Sequence, residues 1–227
     1  MRPTLNLDGG ELDDEPEELY ALADVVHIAC GGHAGDDISM SRVTRACVRS
    51  GTRIGAHPSY EDREGFGRRA RAVAPAVLTT SLAEQCARLR SVAEREGAAV
   101  VSVKLHGALY HAAHADEVIA NACVDGMTRA LGPVAIVGPP GGALERAARA
   151  AGVPFVREAF ADRAVRADGS LVPRGEPGAL IEDATTAAAR ARELAARGDV
   201  DTLCIHADTP GALAIARAVR AAIGPKA

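Results

Sequence analysis

The sequence has no long run of like charge and no apolar stretch long enough to cross a bilayer. Its 227 residues carry a formal net charge of −4. Without a long basic run the chain is a poor candidate for a nucleic-acid groove, and its short apolar stretches argue against a membrane span. We therefore expect a small soluble ligand, with neither nucleic acid nor membrane as a partner.

Cysteine is scarce, and its spacing excludes two further classes. The five cysteines are odd in number and never form a C-x-x-C pair, which fits neither a disulfide framework nor a structural zinc site. Cys47, Cys86 and Cys123 fall on apolar stripes of predicted helices, where a small core residue is expected. We assign no chemistry to any of the five and expect reduced thiols.

Three common functional motifs are also missing. The segment "GPPGGALE" lacks the G-K-[ST] ending of a phosphate-binding loop, and no G-x-G-x-x-G follows a strand, so no nucleotide site is indicated. A G-x-S-x-G is absent, which disfavours a serine hydrolase. The first residues, "MRPTLNLDGGE", show no basic region followed by an apolar run, so we expect a cytoplasmic protein without a secretory signal.

What the sequence does contain is a regular alternation of strand and helix patterns. It is 48% hydrophobic and 25% charged, enough for a full core. No linker interrupts it, so one domain over residues 1–227 is expected. The predicted strands lie at 4–7, 25–29, 53–56, 99–105, 134–138, 154–158 and 202–206. Seven strand-helix units predict a parallel sheet, either open and doubly wound or closed into a barrel.

The histidines concentrate where these strands end. His27 falls within a strand, and the other six fall at the last residue of a predicted strand or in the loop after it: His33, His57, His106, His111, His114 and His206. None is expected in a helix. Because catalytic groups of α/β barrels gather at the C-terminal ends of the strands, this placement predicts one functional rim.

Two pairs of polar residues share the spacing that puts side chains on one side of a strand. Asn6 and Asp8 are two residues apart, as are Lys104 and His106. A cation beside a histidine can stabilise an oxyanion and transfer a proton. For Asp8, the opening residue of an ordinary Gly-Gly turn is an equally good interpretation.

The stretch "VVHIACGGHAGD" predicts a strand, a tight turn and a helix start. Gly31 and Gly32 lack side chains, so backbone N–H groups there can approach a ligand. His33 is the candidate catalytic residue of this stretch. Asp36 is expected to be the N-cap of the following helix.

Cationic and acidic residues follow the remaining strands. Arg68 and Arg69 are either a solvated surface pair or a clamp for a substrate carboxylate. The last two strand ends add five more candidates: Asp162, Arg163, Arg174, His206 and Asp208.

Seven motifs together resemble the family of 5-oxoprolinase A subunits, also called the LamB/YcsF or lactam-utilisation family. They are N-x-D-x-G-E from Asn6 to Glu11, "IACGGHAGD", "GAHPSYEDREGFGRR", "VKLHGALY", "FADR", "DGSLVPRGEPGALIED" and "HADTPGAL". The chain departs from the family pattern at several positions, with Thr4 where an aspartate is expected, Leu7 in place of a cysteine and His27 in place of an asparagine.

The resemblance implies a seven-stranded parallel β/α barrel related to the carbohydrate deacetylases. It also implies ATP-dependent opening of the 5-oxo-L-proline lactam to L-glutamate, together with partner subunits B and C. Since the chain shows no nucleotide motif, we expect ATP to be bound at least partly by those partners.

Lactam hydrolysis requires an activated water, stabilisation of an oxyanion and protonation of the leaving nitrogen. The residues expected to supply these catalytic roles are Asp8, His33, His57, Lys104 and His106. The residues expected to bind substrate are Asn6, Glu11, Arg68, Tyr110, Asp162, Arg163, His206 and Asp208.

Two other functions are compatible with these residues. One is a metal-dependent deacetylase or amidohydrolase with Asp8, His33 and His57 as ligands. The other is a non-catalytic subunit that binds substrate and delivers it to partners. A metal assay separates the first from the ATP-dependent lactam hydrolase, and mutation of the rim histidines separates the second.

Overall fold

The strands predicted from the sequence are all present in the structure, a computed structural model that describes residues 2–166 and 171–226. They are β1 (Thr4–Gly9), β2 (Val25–Ala29), β3 (Arg53–His57), β4 (Val100–Lys104), β5 (Ala135–Gly138), β6 (Phe155–Phe160) and β7 (Thr202–His206). Residues 168–170, which begin the motif "DGSLVPRGEPGALIED", lie outside the described ranges.

The seven strands are parallel and close into a barrel in sequence order, with β1 paired to both β2 and β7. Of the two sheet forms that the alternation allowed, the closed barrel is therefore correct. The register sets Asp8 opposite His27 on one side and His206 on the other. The polar ends of the first and last strands are thus neighbours, although they lie near opposite ends of the chain.

Helices connect successive strands around the outside of the barrel. Those described are α1 (Glu17–Leu22), α2 (Asp37–Ser50), α3 (Pro75–Arg95), α4 (Gly107–Ala115), α5 (Glu117–Leu131), α6 (Ala143–Ala150), α7 (Ala184–Arg197) and α8 (Ala212–Ile223). Asp36 is the N-cap of α2, as predicted: its carboxylate accepts from the Ser39 N–H while the Ser39 hydroxyl accepts from the Asp36 N–H. No helix in the described part of the chain is long and apolar enough to cross a membrane.

Helix α4 corrects the expectation that no histidine is helical. His111 and His114 lie within α4, as does Tyr110. The helix begins immediately after β4 because Gly107 adopts φ +58°, which permits an abrupt change of direction. The alanine-rich sequence "GALYHAAHA" then favours helix over loop.

The apolar core lies between the strands and the helices. Leu5 and Leu7 of β1 are fully buried in it. Asn6 and Asp8 alternate with them along the same strand and contact groups inside the barrel, where the Lys104 ammonium lies near both. Cys47, Cys86 and Cys123 are buried helical thiols, as predicted.

Candidate functional site

A cavity of about 890 Å³ opens at the C-terminal ends of the strands. Its inner wall carries Asp8, His57, Lys104, His106, Tyr110, Glu158 and His206. Its outer part carries arginines, namely Arg68, Arg163, Arg174, Arg190 and Arg197. The cavity thus combines ionisable groups at its base with a cationic rim.

Lys104, at the end of β4, is the central cation of the cavity base. Its Nζ lies 2.8 Å from Oδ1 of Asp8 and 2.9 Å from Oε1 of Glu158. The side chain is 2% exposed. Burial by itself lowers the pKa of Lys104, but the two carboxylates raise it well above its usual value. The ammonium is therefore permanently protonated and acts as a fixed positive charge.

Glu158 was not anticipated from the sequence as a site residue, and neither was Cys204. Glu158 lies on β6 two residues before Phe160, with the spacing that placed Asn6 and Asp8 on one side of β1. This two-residue spacing is the feature of the sequence that could have identified Glu158 as a site residue. Cys204 Sγ lies 2.9 Å from the Lys104 Nζ, so this thiol contacts the site although no chemistry was assigned to it.

Asn6 and Tyr110 hold Glu158 in place. The Asn6 amide donates to Glu158 Oε1 at 2.9 Å, and the Tyr110 hydroxyl donates to Oε2 at 2.9 Å. Asn6 Oδ1 also accepts from the Lys104 Nζ at 3.3 Å. Both residues were predicted to bind substrate; in the structure their polar groups are directed at Glu158 and Lys104.

Three histidines and a glutamate converge beside this lysine. Oε1 of Glu11 lies 3.1 Å from His33 Nε2, 3.1 Å from His106 Nδ1 and 3.6 Å from His57 Nε2. His106 Nδ1 is 3.0 Å from His57 Nε2. The rings of His33 and His106 stack with centroids 3.7 Å apart. These four residues, Glu11, His33, His57 and His106, form what we call the histidine cluster.

The other ring nitrogen of each histidine has its own partner outside the cluster. His57 Nδ1 lies 2.8 Å from the Lys104 carbonyl oxygen, and His106 Nε2 lies 3.0 Å from the Phe66 carbonyl oxygen. His33 Nδ1 lies 3.0 Å from Oγ of Ser59. These contacts fix the orientation of all three rings.

The Gly31-Gly32 turn supports the histidine cluster through packing, because Gly32 lies against Ser59, the hydrogen-bond partner of His33. A Cβ on Gly32 would lie 2.6 Å from Ser59 Oγ and 2.5 Å from Gln85 Oε1. The space on the Cβ side of Gly32 is therefore filled by two of the protein's own side chains, while Gly31 and Gly32 also line a small surface cavity, so the approach of a ligand to the backbone there stays a prediction. The glycine is needed because Ser59, the partner of His33, packs against it.

The histidine cluster is buried beside the cavity, and the pKa values of Glu11, His33 and His57 reflect this burial. Burial, followed by the charge of His106, lowers the pKa of His33 to about 4, and burial lowers that of His57 well below its usual value. Burial alone raises the pKa of Glu11, but His106 and His33 together bring it well below its usual range. The pKa shift of Glu11 thus favours its anionic form among the three imidazoles.

His206 and Asp162 form a separate buried pair on the other side of Asp8. His206 Nδ1 lies 3.0 Å from Oδ1 of Asp162, whose Oδ2 accepts from the His206 N–H and the Thr209 hydroxyl. Burial by itself lowers the pKa of His206, but the Asp162 carboxylate raises it above its usual value. Burial alone raises the pKa of Asp162, yet His206 and these hydrogen bonds bring it to about 2. His206 Nε2 is then directed toward Asp8, 3.7 Å from Oδ2.

Of the two arginines considered as a clamp, Arg68 is part of a small ion network at the cavity rim, whereas Arg69 is exposed and lies 3.9 Å from Oδ1 of Asp62. Arg68 and Arg174 both pair with Oδ2 of Asp208, Arg174 at 2.7 Å. Arg163 donates to the Val172 carbonyl oxygen at 2.8 Å. The three guanidinium groups outnumber the one carboxylate, so the rim keeps a positive charge that favours an anionic ligand.

Two groups of described residues have ligand atoms close enough to share a metal ion. One is the histidine cluster, and the other is Asp8, Cys204 and His206. The ligand set considered from the sequence, Asp8, His33 and His57, is divided between these groups. The second group differs from the histidine cluster because the Lys104 ammonium already contacts two of its members, Asp8 and Cys204.

The match to known sequences extends over nearly all of the chain. A model of the LamB/YcsF family matches residues 8–226. The chain belongs to the LamB/YcsF family. The resemblance inferred from the seven motifs is thereby confirmed.

Individual relatives of this LamB/YcsF chain carry a more specific name. A protein from Streptomyces griseus, named as the A subunit of 5-oxoprolinase, is 45% identical, with 96% of this chain and 94% of the relative covered. One of the same name from Methylococcus capsulatus is 41% identical over 91% of this chain and 84% of the relative. The crystal structure of a lactam utilization protein from Thermus thermophilus superposes with a TM-score of 0.89 at 35% identity, covering 98% of this chain and 96% of that one.

Proposed function

We propose that this chain is the ring-opening subunit of a 5-oxoprolinase, which hydrolyses the lactam of 5-oxo-L-proline to L-glutamate. The observation that carries the proposal is its identity of 40–45% with relatives named as the A subunit of 5-oxoprolinase, over more than nine-tenths of the chain. The site geometry supplies groups suited to each step of that reaction.

The cavity base supports the proposed chemistry as follows. Asp8 accepts a proton from water as the water oxygen adds to the lactam carbonyl carbon. Lys104, 2.8 Å from Asp8, stabilises the oxyanion that forms on the carbonyl oxygen. The carbon–nitrogen bond then breaks, and the nitrogen takes a proton from Nε2 of His206. One water is consumed in this ring opening, which frees the amine.

The two proton-transfer groups differ in environment in the direction that this scheme needs. The Asp162 carboxylate raises the pKa of His206, which favours the protonated form that an acid needs. Asp8 lies 2.8 Å from the Lys104 ammonium, beside the position proposed for the oxyanion, where it can take the proton of the attacking water. The cationic rim around Asp208 suits a substrate that carries a carboxylate.

We further propose that partner subunits B and C transfer the terminal phosphoryl group of ATP to the lactam oxygen before this chain opens the ring. Lys104 then stabilises the negative charge on that phosphorylated oxygen, ring opening leaves an acyl phosphate, and a second water releases inorganic phosphate and forms the carboxylate. An unstrained lactam is a poor electrophile, and no nucleotide-binding motif occurs in the sequence. A reaction that consumes ATP is expected in the cytoplasm.

Reconstitution tests the proposal. The chain is mixed with subunits B and C, and glutamate release from 5-oxo-L-proline is measured with and without ATP. We expect release only from the complete mixture with ATP, and little or none from the chain alone. If the same B and C subunits are active with the Streptomyces griseus relative but inactive with this chain, the proposal is wrong.

A further inference from the structure

We infer that the histidine cluster binds one divalent transition-metal ion of the zinc class, held by Glu11, His33, His57 and His106. The inference goes beyond the lactam reaction and does not depend on it. It follows from where the protons of the three imidazole rings lie.

Each histidine has one nitrogen committed as a donor. His57 Nδ1 and His106 Nε2 each face a backbone carbonyl oxygen, which can only accept, so both nitrogens carry the ring proton. The Ser59 hydroxyl donates to the Tyr60 carbonyl oxygen at 2.8 Å, so Ser59 Oγ accepts from His33 Nδ1. In the neutral rings the remaining nitrogens, His33 Nε2, His57 Nε2 and His106 Nδ1, therefore present lone pairs.

These three nitrogens and a carboxylate oxygen lie within 4.8 Å of one another, with the His33 and His106 rings stacked in parallel planes. His57 Nε2 and His106 Nδ1 are 3.0 Å apart, and each lies within 3.6 Å of Glu11 Oε1. A carboxylate and three ring nitrogens at such distances are held together by positive charge among them, supplied by ring protons or by a metal ion. The arrangement is that of a ligand set around a cation.

The spacing fits a metal ion of the expected size. Four ligands bound at the usual zinc distances sit at tetrahedral corners about 3.3 Å from one another. Four of the six separations between ligand atoms of the cluster run from 3.0 Å to 3.6 Å, and all six are below 4.8 Å. Three imidazoles and one carboxylate favour zinc and the neighbouring ions cobalt and nickel over magnesium or calcium.

The outer contacts are also those of a metal site. Metal-binding histidines donate their other N–H to a carbonyl, a carboxylate or another fixed acceptor, which sets the tautomer and orients the ring. All three histidines here do so. By contrast, the group of Asp8, Cys204 and His206 already has the Lys104 ammonium against two of its members, so a second cation there would be repelled.

A divalent ion in this position would lie beside the cavity base, since His57 and His106 line the cavity and His57 Nε2 is 3.4 Å from Oδ2 of Asp8. Its chemical contribution would be that of a Lewis acid at that wall.

Metal content tests the inference without any assay of activity. The full chain is purified without chelator and analysed by mass spectrometry for metals; it is then stripped and titrated with Zn²⁺ by calorimetry and with Co²⁺ by visible absorption. We expect one ion per chain and the intense Co²⁺ bands of a four-coordinate site. If the stripped wild-type chain shows no saturable binding of Zn²⁺ or Co²⁺, the inference is wrong.

Variants locate the ion. Glu11→Gln and His57→Gln should abolish the Co²⁺ bands, and Ser59→Ala, which removes only the partner of His33, should weaken Zn²⁺ binding roughly 10- to 100-fold. The matched control is His111→Gln on the exposed face of α4, which should bind like wild type. Full binding by folded Glu11→Gln and His57→Gln would also refute the site. Absence of metal binding by a wild-type chain that supports glutamate release would refute this inference alone, and metal binding without glutamate release would refute the proposed function alone.

Discussion

Lys104 and Asp8 form a buried ion pair in which Nζ lies 2.8 Å from Oδ1, and Glu158 lies 2.9 Å from the same Nζ on its other side. One ammonium therefore lies between two carboxylates within the barrel. Removing a charge from water costs several kcal/mol, and the cost is offset here only because the partners are fixed by Asn6 and Tyr110.

Lys104→Met should therefore destabilise the fold strongly. It leaves two buried carboxylates without a counter-charge, and loss of one partner of a buried pair typically costs about 3–5 kcal/mol in free energy of unfolding. Urea denaturation measures the change. The control is Arg129→Met, which breaks an exposed pair with Asp125 and should cost less than about 1 kcal/mol.

If uncompensated carboxylates destabilise Lys104→Met, removing their charges should restore part of the stability. A triple variant that adds Asp8→Asn and Glu158→Gln to Lys104→Met carries no buried charge at this position, so it should recover part of the lost stability. A triple variant less stable than Lys104→Met would show that packing, and not uncompensated charge, causes the loss.

The pair of His206 and Asp162 should be visible in a pH titration. The Asp162 carboxylate raises the pKa of His206, so Asp162→Asn should lower that pKa toward or below its usual value. The measurement is the chemical shift of the His206 ring proton against pH by NMR. An unchanged His206 pKa in the folded variant would show that Asp162 does not hold the imidazolium.

The pair of His206 and Asp162 also determines how the stability of the fold changes with pH. The folded-state pKa of His206 is raised, so its contribution is full below the unfolded value near 6.5 and is lost as pH rises through the folded value. The difference in Tm between wild type and Asp162→Asn should therefore be larger at about pH 5.5 than above that folded pKa. A difference that grows with pH would contradict this assignment.

Much of this architecture could be predicted from the sequence because it depends on local periodicity. The strands and the strand-end position of His57 and His106 follow from apolar runs and their boundaries. The cation at Lys104 was found because it stands two residues before His106. Glu158 also lies near the C-terminal end of its strand. The sequence predicts that this strand ends at residue 158, and it predicts no role for the Glu158 side chain.

What could not be predicted depends on contacts between distant segments. Glu11 was expected to bind substrate because of its motif, and only the closed barrel shows it 3.1 Å from both His33 and His106. Helix α4 was missed because a glycine after a strand indicates a loop as readily as a sharp helix start. The use of Gly32 to accommodate Ser59 and Gln85 likewise requires the fold.

Gly32→Ala tests that last relationship. An added Cβ would lie 2.5–2.6 Å from Gln85 Oε1 and Ser59 Oγ, so one of the two side chains must move. Overpacking of this kind typically costs about 1–3 kcal/mol, and displacement of Ser59 should also loosen His33. Thermal unfolding measures the cost. Gly175→Ala is the matched control, because its Cβ would meet no atom within 4 Å; equal Tm changes in the two variants would contradict the packing argument.

Asp8→Asn tests the proposed base directly. The substitution keeps shape and removes one charge, and Lys104 retains Glu158 as a counter-ion at 2.9 Å, so the variant should fold. Loss of a general base typically lowers the rate about 10²- to 10⁴-fold, and KM should change much less because the cationic rim that suits the substrate carboxylate is untouched. The measurement is kcat and KM in the reconstituted complex, with Asp125→Asn on the surface of α5 as control. A folded Asp8→Asn variant with wild-type kcat would remove Asp8 as the base and leave His57, whose Nε2 is 3.4 Å away, as the nearest group able to take the proton.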